Sequence, residues 1–191
     1  WSQDHDMILR LTDRAEKIVH VPRLMYYWRS HAGSVASGIE AKPYAVDAAK
    51  GAVAEHLRKH GYEHFRITST RAFETIFKIS YQIIGNPKIS IVIANKDHET
   101  DLLRCITSIL ERSTYDNYEI IIVENNSETQ EIWKYYGELK ENGRVKLVKY
   151  EGSFNYSAVN NLGVREAQGE YILLLNNDTQ VITVNWMEEL L

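Results

Sequence analysis

Ile89-Ser-Ile-Val-Ile-Ala-Asn-Lys-Asp97 is a run of mostly β-branched apolar residues that stops at an amide, a cation and a carboxylate. The same figure recurs twice. Glu119-Ile-Ile-Ile-Val123 runs into Glu124-Asn-Asn-Ser127, and Glu170-Tyr-Ile-Leu-Leu-Leu175 runs into Asn176-Asn-Asp178. Short apolar runs of this length, bounded by turn formers, read as buried strands. Val145-Lys-Leu-Val-Lys-Tyr150 alternates, as a strand with one wetter face does. Helical spacing fills the gaps: residues 99–112, with Leu102, Leu103, Ile106 and Leu110 directed inward, a helix around 129–141, and another over 157–167. The order β-α-β-α-β-α-β predicts a mostly parallel sheet with helices on both faces and right-handed crossovers.

The chain ahead of this region reads differently. Met7, Ile8, Leu11 and Ala15 share one helical face, with Asp4 near its start. Lys17 to Pro22 reads as a short strand, and Leu24 to Trp28 as an aromatic strand or turn, for which core packing of Tyr26, Tyr27 and Trp28 is expected. Ser30 to Gly38 has loop composition. Val46, Ala49, Val53 and Leu57 make an amphipathic helix from Tyr44 to His60, ended by Gly61 at the C-cap. Residues 62–88 carry little periodicity and finish in the turn Gly85-Asn-Pro-Lys88, which sets a domain boundary near Lys88.

Composition narrows the function classes. The 191 residues are 44% hydrophobic and 25% charged, which suits one full globular domain or two partial ones. A net charge of −4 provides no overall positive field to hold a polyanion, so nucleic acid is not an expected partner. The single cysteine, Cys105, forms no intramolecular disulfide and fits a reducing compartment. No apolar run is long enough to span a bilayer. Trp1 opens in mid-pattern and Leu191 falls inside an apolar helical run, so a fragment of a longer protein is expected.

In an open α/β sheet, ligands bind beyond the carboxyl ends of the strands, where strand order reverses. That rule selects Asn95 to Asp97, Glu124 to Ser127 and Asn176 to Asp178. Their amides and carboxylates suit a ligand with ring N–H and hydroxyl groups, and a metal ion that prefers hard oxygen donors. Asn, Asp and Ser are also the usual turn formers at strand ends, so each stretch alone has two readings. No G-x-G-x-x-G follows the first strand and no P-loop pattern occurs, which disfavours dinucleotide and P-loop sites.

Four stretches in this order resemble family 2 glycosyltransferases of the GT-A fold: Ile89 to His98, Tyr118 to Ser127, Phe154-Asn-Tyr-Ser-Ala-Val-Asn-Asn-Leu-Gly163, and Gly169-Glu-Tyr-Ile-Leu-Leu-Leu-Asn-Asn-Asp178. The variant is similar to bacterial enzymes of cell-surface polysaccharide synthesis, including rhamnosyltransferase-like proteins with two such domains in tandem. Ser2-Gln-Asp-His-Asp-Met-Ile-Leu-Arg-Leu11 resembles the family's late acidic motif, and Val19 to His31 the segment that closes such a domain. The resemblance implies that 1–38 end one glycosyltransferase domain, that 39–87 form a helical linker, and that 88–191 are the nucleotide-sugar-binding half of a second, truncated domain.

The resemblance also implies roles. Asn125 contacts the nucleotide base with Glu124 beside it, and Ala94, Asn95, Lys96 and Asp97 line the same pocket. Asn155 and Asn160 lie in the stretch covering the nucleotide. Asn177 binds the nucleotide from a D-x-D position reading Asn176-Asn-Asp178, where Asp178 holds Mg²⁺ or Mn²⁺ against the donor diphosphate. Asp4 matches the catalytic base of the preceding domain, and His31 a position near its metal. The implied partners are a nucleotide-sugar donor and a glycan or lipid-linked glycan acceptor. The implied location is cytoplasmic, at the inner face of the membrane, with peripheral membrane association through the full-length protein. Two other classes stay open: a non-catalytic nucleotide- or carbohydrate-binding module, and a nucleotidyltransferase, for which a Gly-rich, basic loop after the first strand is expected.

Overall fold

The computed structural model describes residues 3–27 and 44–191. It divides into two compact units, residues 1–82 and 83–191.

In the amino-terminal unit, α1 spans Gln3–Thr12 and α2 spans Tyr44–Lys59. Val46, Val53 and Leu57 of α2 are buried. Gly61, with φ of 86°, stands just past its end in the left-handed region that an L side chain resists. An antiparallel hairpin follows, β1 (Phe65–Ser69) with β2 (Phe77–Tyr81). Alternation of Phe65 with Ile67, and of Phe77 with Ile79, over five residues each is too short a signal to stand out from its polar neighbours. Two expectations fail here. Residues 17–22 form no strand, and Tyr26 and Tyr27 are 75% and 82% exposed rather than packed in a core. Without neighbouring strands to accept its backbone hydrogen bonds, a Val-rich segment has no reason to extend into a sheet. Trp28 and His31 lie outside the described residues.

The carboxyl-terminal unit holds β3 (Ile89–Asn95), α3 (Glu99–Arg112), β4 (Tyr118–Glu124), α4 (Gln130–Leu139), β5 (Val145–Lys149), α5 (Tyr156–Arg165) and β6 (Tyr171–Asn176). Its four strands are parallel in the order β5-β4-β3-β6. Both faces of the central strands are covered. Ile89, Ile91 and Ile93 of β3, with Ile120 and Ile122 of β4, pack against Leu102, Cys105, Ile106 and Ile109 of α3 and Ile132 and Tyr136 of α4. Val92, Ile121 and Val123 point the other way, onto Val159 of α5. Period-two alternation of side chains thus turns a continuous apolar run into two separate cores.

Three details differ from the sequence reading. The inward stripe of α3 is Leu102, Cys105, Ile106 and Ile109, the i, i+3, i+4, i+7 set, and Leu103 stands 40% exposed beside it. β6 is apolar yet half-wet, with Ile172 and Leu174 at 41% and 45% exposure, because α5 lies over β3 and β4 and β6 is the edge of the sheet among the described residues. Residues 183–190 form turns rather than a regular helix.

One helix start is capped from outside. Thr129, at the N-cap of α4, makes no capping bond with its own side chain. Asp97 Oδ1 instead accepts from the backbone N–H of Glu128 (2.8 Å) and Thr129 (2.9 Å), and from Thr129 Oγ1 (3.1 Å). A carboxylate serves the exposed N–H groups and the positive end of the helix dipole at once. The backbone hydrogen bond from Thr129, then that from Glu128, hold the Asp97 carboxyl below its ordinary value of 3.8.

A β-carbon built on Gly163 of α5 would sit 2.3 Å from Val92 Cγ1 and 2.8 Å from Val123 Cγ2, whereas one on Gly137 of α4 would meet nothing within 4 Å. Gly→Ala gains up to ~1 kcal/mol of helix propensity, but overpacking costs about 1–3 kcal/mol. Gly163→Ala is therefore expected to lower stability in urea denaturation, while Gly137→Ala leaves it unchanged or raised; equal effects would refute the close seating of α5. For Asp97, whose folded-state value is depressed, the stabilisation is present above the ordinary carboxylate value and lost as pH falls through the lower one. Asp97→Asn is expected to flatten the acid limb of a stability-against-pH profile while lowering stability at neutral pH.

Candidate functional site

Register brings the polar strand ends level. Asn95 pairs with Glu124 across β3 and β4, and Ala94 pairs with Asn176 across β3 and β6. The chain runs outward from β3 to β4 to β5 and then returns to place β6 on the other side of β3, so strand order reverses at β3. This is the crevice where α/β sheets take ligands.

A buried polar network joins the three loops. Asn95 Nδ2 donates to the Tyr136 hydroxyl (2.8 Å) and to the Asp97 carbonyl (2.7 Å). The Tyr136 hydroxyl donates to Glu124 Oε2 (2.9 Å), and the same carboxylate accepts from the Ser127 N–H and hydroxyl. Ser127 Oγ accepts in turn from the Asp97 N–H at 2.8 Å. Asn177 Nδ2 reaches Asn95 Oδ1 at 2.7 Å. Glu124 is only 2% exposed, and a carboxylate so deep is tolerable because three donors converge on it. Burial pushes the Tyr136 hydroxyl well above its usual range, which keeps it a donor. Asp97, His98 and Asn126 all have positive φ, at 52°, 48° and 58°, so the loops turn sharply just where the strands stop.

Above this network lies a hollow of ≈ 510 Å³, lined by residues that include Ala94 to His98, Asn125, Phe154, Tyr156 and Asn160, with Leu175 to Asn177 on the β6 side. Asn125 is 3% exposed and aligned by its own hydrogen bonds, Nδ2 donating to the carbonyls of Gly152 (2.9 Å) and Tyr150 (3.2 Å). Asn160 Nδ2 donates to the Tyr156 carbonyl at 2.8 Å.

The structure thus brings Ala94, Asn95, Lys96, Asp97, Asn125, Asn160 and Asn177 to one hollow. Other expected residues sit elsewhere. Glu124 lies beneath the loops and borders a second hollow of ≈ 380 Å³ beside Trp133 and Lys149. Asn155 is the N-cap of α5, accepting from the Ala158 N–H at 3.0 Å. Asp178 follows β6 with an exposed side chain and is not among the lining residues. Lys96 reaches Glu128 at 3.6 Å across exposed surface, a weak pairing. Asp4 is exposed in the first turn of α1, in the other unit, and His31 lies outside the described residues. His98, Phe154 and Tyr156 are lining residues that the strand-end rule does not select. Phe154 and Tyr156 are 67% and 55% exposed, and aromatic residues flanking a helix N-cap are the signal for them. Cys105 is a buried thiol raised by desolvation, 3.4 Å from Thr179 Oγ1, and behaves as core.

Residues 90–191 match the family profile for glycosyl transferase family 2. Over 193 residues the chain is 35% identical to an uncharacterized protein, y4gI, of Sinorhizobium fredii, covering 99% of this chain and 21% of that protein. It is 32% identical over 189 residues to the O-antigen biosynthesis protein RfbC of Myxococcus xanthus, covering 99% of this chain and 14% of that one. The chain therefore spans about a fifth or less of the length of these two relatives. Among solved structures, Staphylococcus aureus TarS aligns over 54% of this chain and 18% of its own, with 17% identity and a TM-score of 0.47. With the profile match running through the strands and loops of the crevice, this chain belongs to glycosyl transferase family 2, and its carboxyl-terminal unit is the parallel, Rossmann-like part of a GT-A fold.

Proposed function

We propose that the carboxyl-terminal unit holds the nucleotide of a nucleotide-sugar donor, and that the whole protein transfers the sugar to a glycan or lipid-linked glycan acceptor in cell-surface polysaccharide synthesis. The observation that carries the reading is the hollow at the ends of β3, β4 and β6, whose ≈ 510 Å³ falls in the range of small-molecule sites. The name of the Myxococcus relative, an O-antigen biosynthesis protein, supports the polysaccharide context. In this reading residues 1–38 close a preceding catalytic domain and 39–87 link it to the second. Asp4 is the base of that preceding domain, and His31 lies near its metal.

Asn125, held by two carbonyls, presents its amide oxygen to a base N–H. Phe154 and Tyr156 offer exposed rings for stacking. Asn95, Asp97 and Asn160 line the same hollow. Asp178 supplies a carboxylate, the oxygen chemistry that suits Mg²⁺ or Mn²⁺, and one carboxylate suffices because such ions keep waters and take phosphate oxygens, while Asn177 faces the nucleotide from the hollow's lining. A divalent ion held by Asp178 would supply neutralisation of charge on the leaving diphosphate. Transfer is then an inverting displacement, in which a carboxylate on the acceptor side removes the hydroxyl proton as that oxygen attacks the anomeric carbon.

Titration of a panel of nucleoside diphosphates with and without Mn²⁺, followed by calorimetry, tests this. One nucleotide is expected to bind in a metal-dependent way. Asp178→Ala should remove the metal dependence, and Asn125→Ala should weaken binding about tenfold, or roughly 1.4 kcal/mol. Absence of binding by every nucleotide in the panel would end the proposal.

A further inference from the structure

A second cluster of side chains stands in the amino-terminal unit and includes none of the residues given a role above. Asp13, one residue past α1, meets His56 and His60, one turn apart at the end of α2. Asp13 Oδ1 lies 3.4 Å from His56 Nδ1 and 3.3 Å from His60 Nε2, and all three atoms fall within 4.8 Å of one another. The Asp13 side chain is only 8% exposed.

The hydrogen bonding around the cluster leaves a gap at its centre. His60 Nδ1 is 2.8 Å from the His56 carbonyl, an oxygen that can only accept, so Nδ1 carries a proton. In the neutral ring this leaves the Nε2 lone pair turned toward the Asp13 carboxylate. His56 Nδ1 is buried and has no hydrogen-bond partner among the described residues. Lone pairs facing a carboxylate repel unless a proton or a cation stands between them. Ligand-to-metal distances of about 2.0–2.2 Å at tetrahedral angles put neighbouring ligand atoms roughly 3.4 Å apart, and the two measured separations agree with that. Donation of the other ring nitrogen to a backbone carbonyl is also how metal-binding histidines are oriented.

The geometry points to a zinc site formed by Asp13, His56 and His60. Two imidazoles and a carboxylate suit Zn²⁺, or another divalent ion of borderline softness, over Mg²⁺ or Ca²⁺. With three protein ligands, and His60 44% exposed, the fourth position is open to water. Lys59 Nζ donates to Asp13 Oδ2 at 2.7 Å and leaves Oδ1 to the metal. Lys59 is 52% exposed, so solvent weakens its repulsion toward a cation. Bound zinc would fasten the end of α1 to the end of α2.

The test is titration of the tag-free 191-residue chain with Co²⁺ and Zn²⁺. One equivalent of Co²⁺ is expected to give the visible absorption of a four-coordinate ion, Zn²⁺ to displace it, and Zn²⁺ but not Mg²⁺ to raise the thermal midpoint. Asp13→Asn and His60→Gln should each abolish the absorption while circular dichroism shows α2 intact; His64→Ala should leave it unchanged. No saturable uptake by the parent chain, or uptake that survives both ligand substitutions, would overturn the site. If the substitutions unfold the chain, an unshifted thermal midpoint of the parent with Zn²⁺ would overturn it equally.

Discussion

The crevice depends on a carboxylate that is almost wholly buried. Glu124 closes β4 at 2% exposure, and it is sustained by the Tyr136 hydroxyl and by two donors of Ser127. Through Tyr136 it holds Asn95, and through Asn95 it holds Asn177, so one buried charge fixes the carboxyl ends of β3, β4 and β6 relative to each other. Removing any member would leave a buried polar group unsatisfied, a cost of about 1–3 kcal/mol. The network therefore fixes the loop of Asp97 at the hollow, beside an Asn125 held by the carbonyls of Tyr150 and Gly152.

Much of the sheet was legible because burial on both faces demands an uninterrupted apolar run, and the stretches beginning at Ile91 and Ile120 have one. The hairpin of β1 and β2 was not, since five-residue strands with Arg66 and Lys78 on their wet face leave too few apolar positions for periodicity to register. The apolar run of β6 gave the strand but not its exposure, which depends on where α5 lies rather than on the run itself.

Candidate site residues were legible as a set and not as individuals. The strand-end rule picks out Asp97 and Glu124 equally, yet Asp97 caps α4 from the hollow's edge while Glu124 is sealed beneath it. A sequence displays a carboxylate but not the N–H groups that fold around it. The same limit hides Asp13, His56 and His60, which only tertiary packing brings together. Phe154 and Tyr156 show the converse, being exposed aromatic side chains that line the hollow.

Tyr136→Phe tests most directly whether the buried network serves the crevice. The substitution deletes one hydroxyl beneath the hollow and replaces none of its lining residues, while removing a hydrogen-bond partner of Asn95. Measured by calorimetry on folded protein, nucleoside diphosphate affinity is predicted to fall about tenfold or more as Asn95 and Asn177 lose their anchor. An affinity equal to that of the parent chain, alongside a clear loss of stability, would show that the network serves the fold alone and would contradict the account.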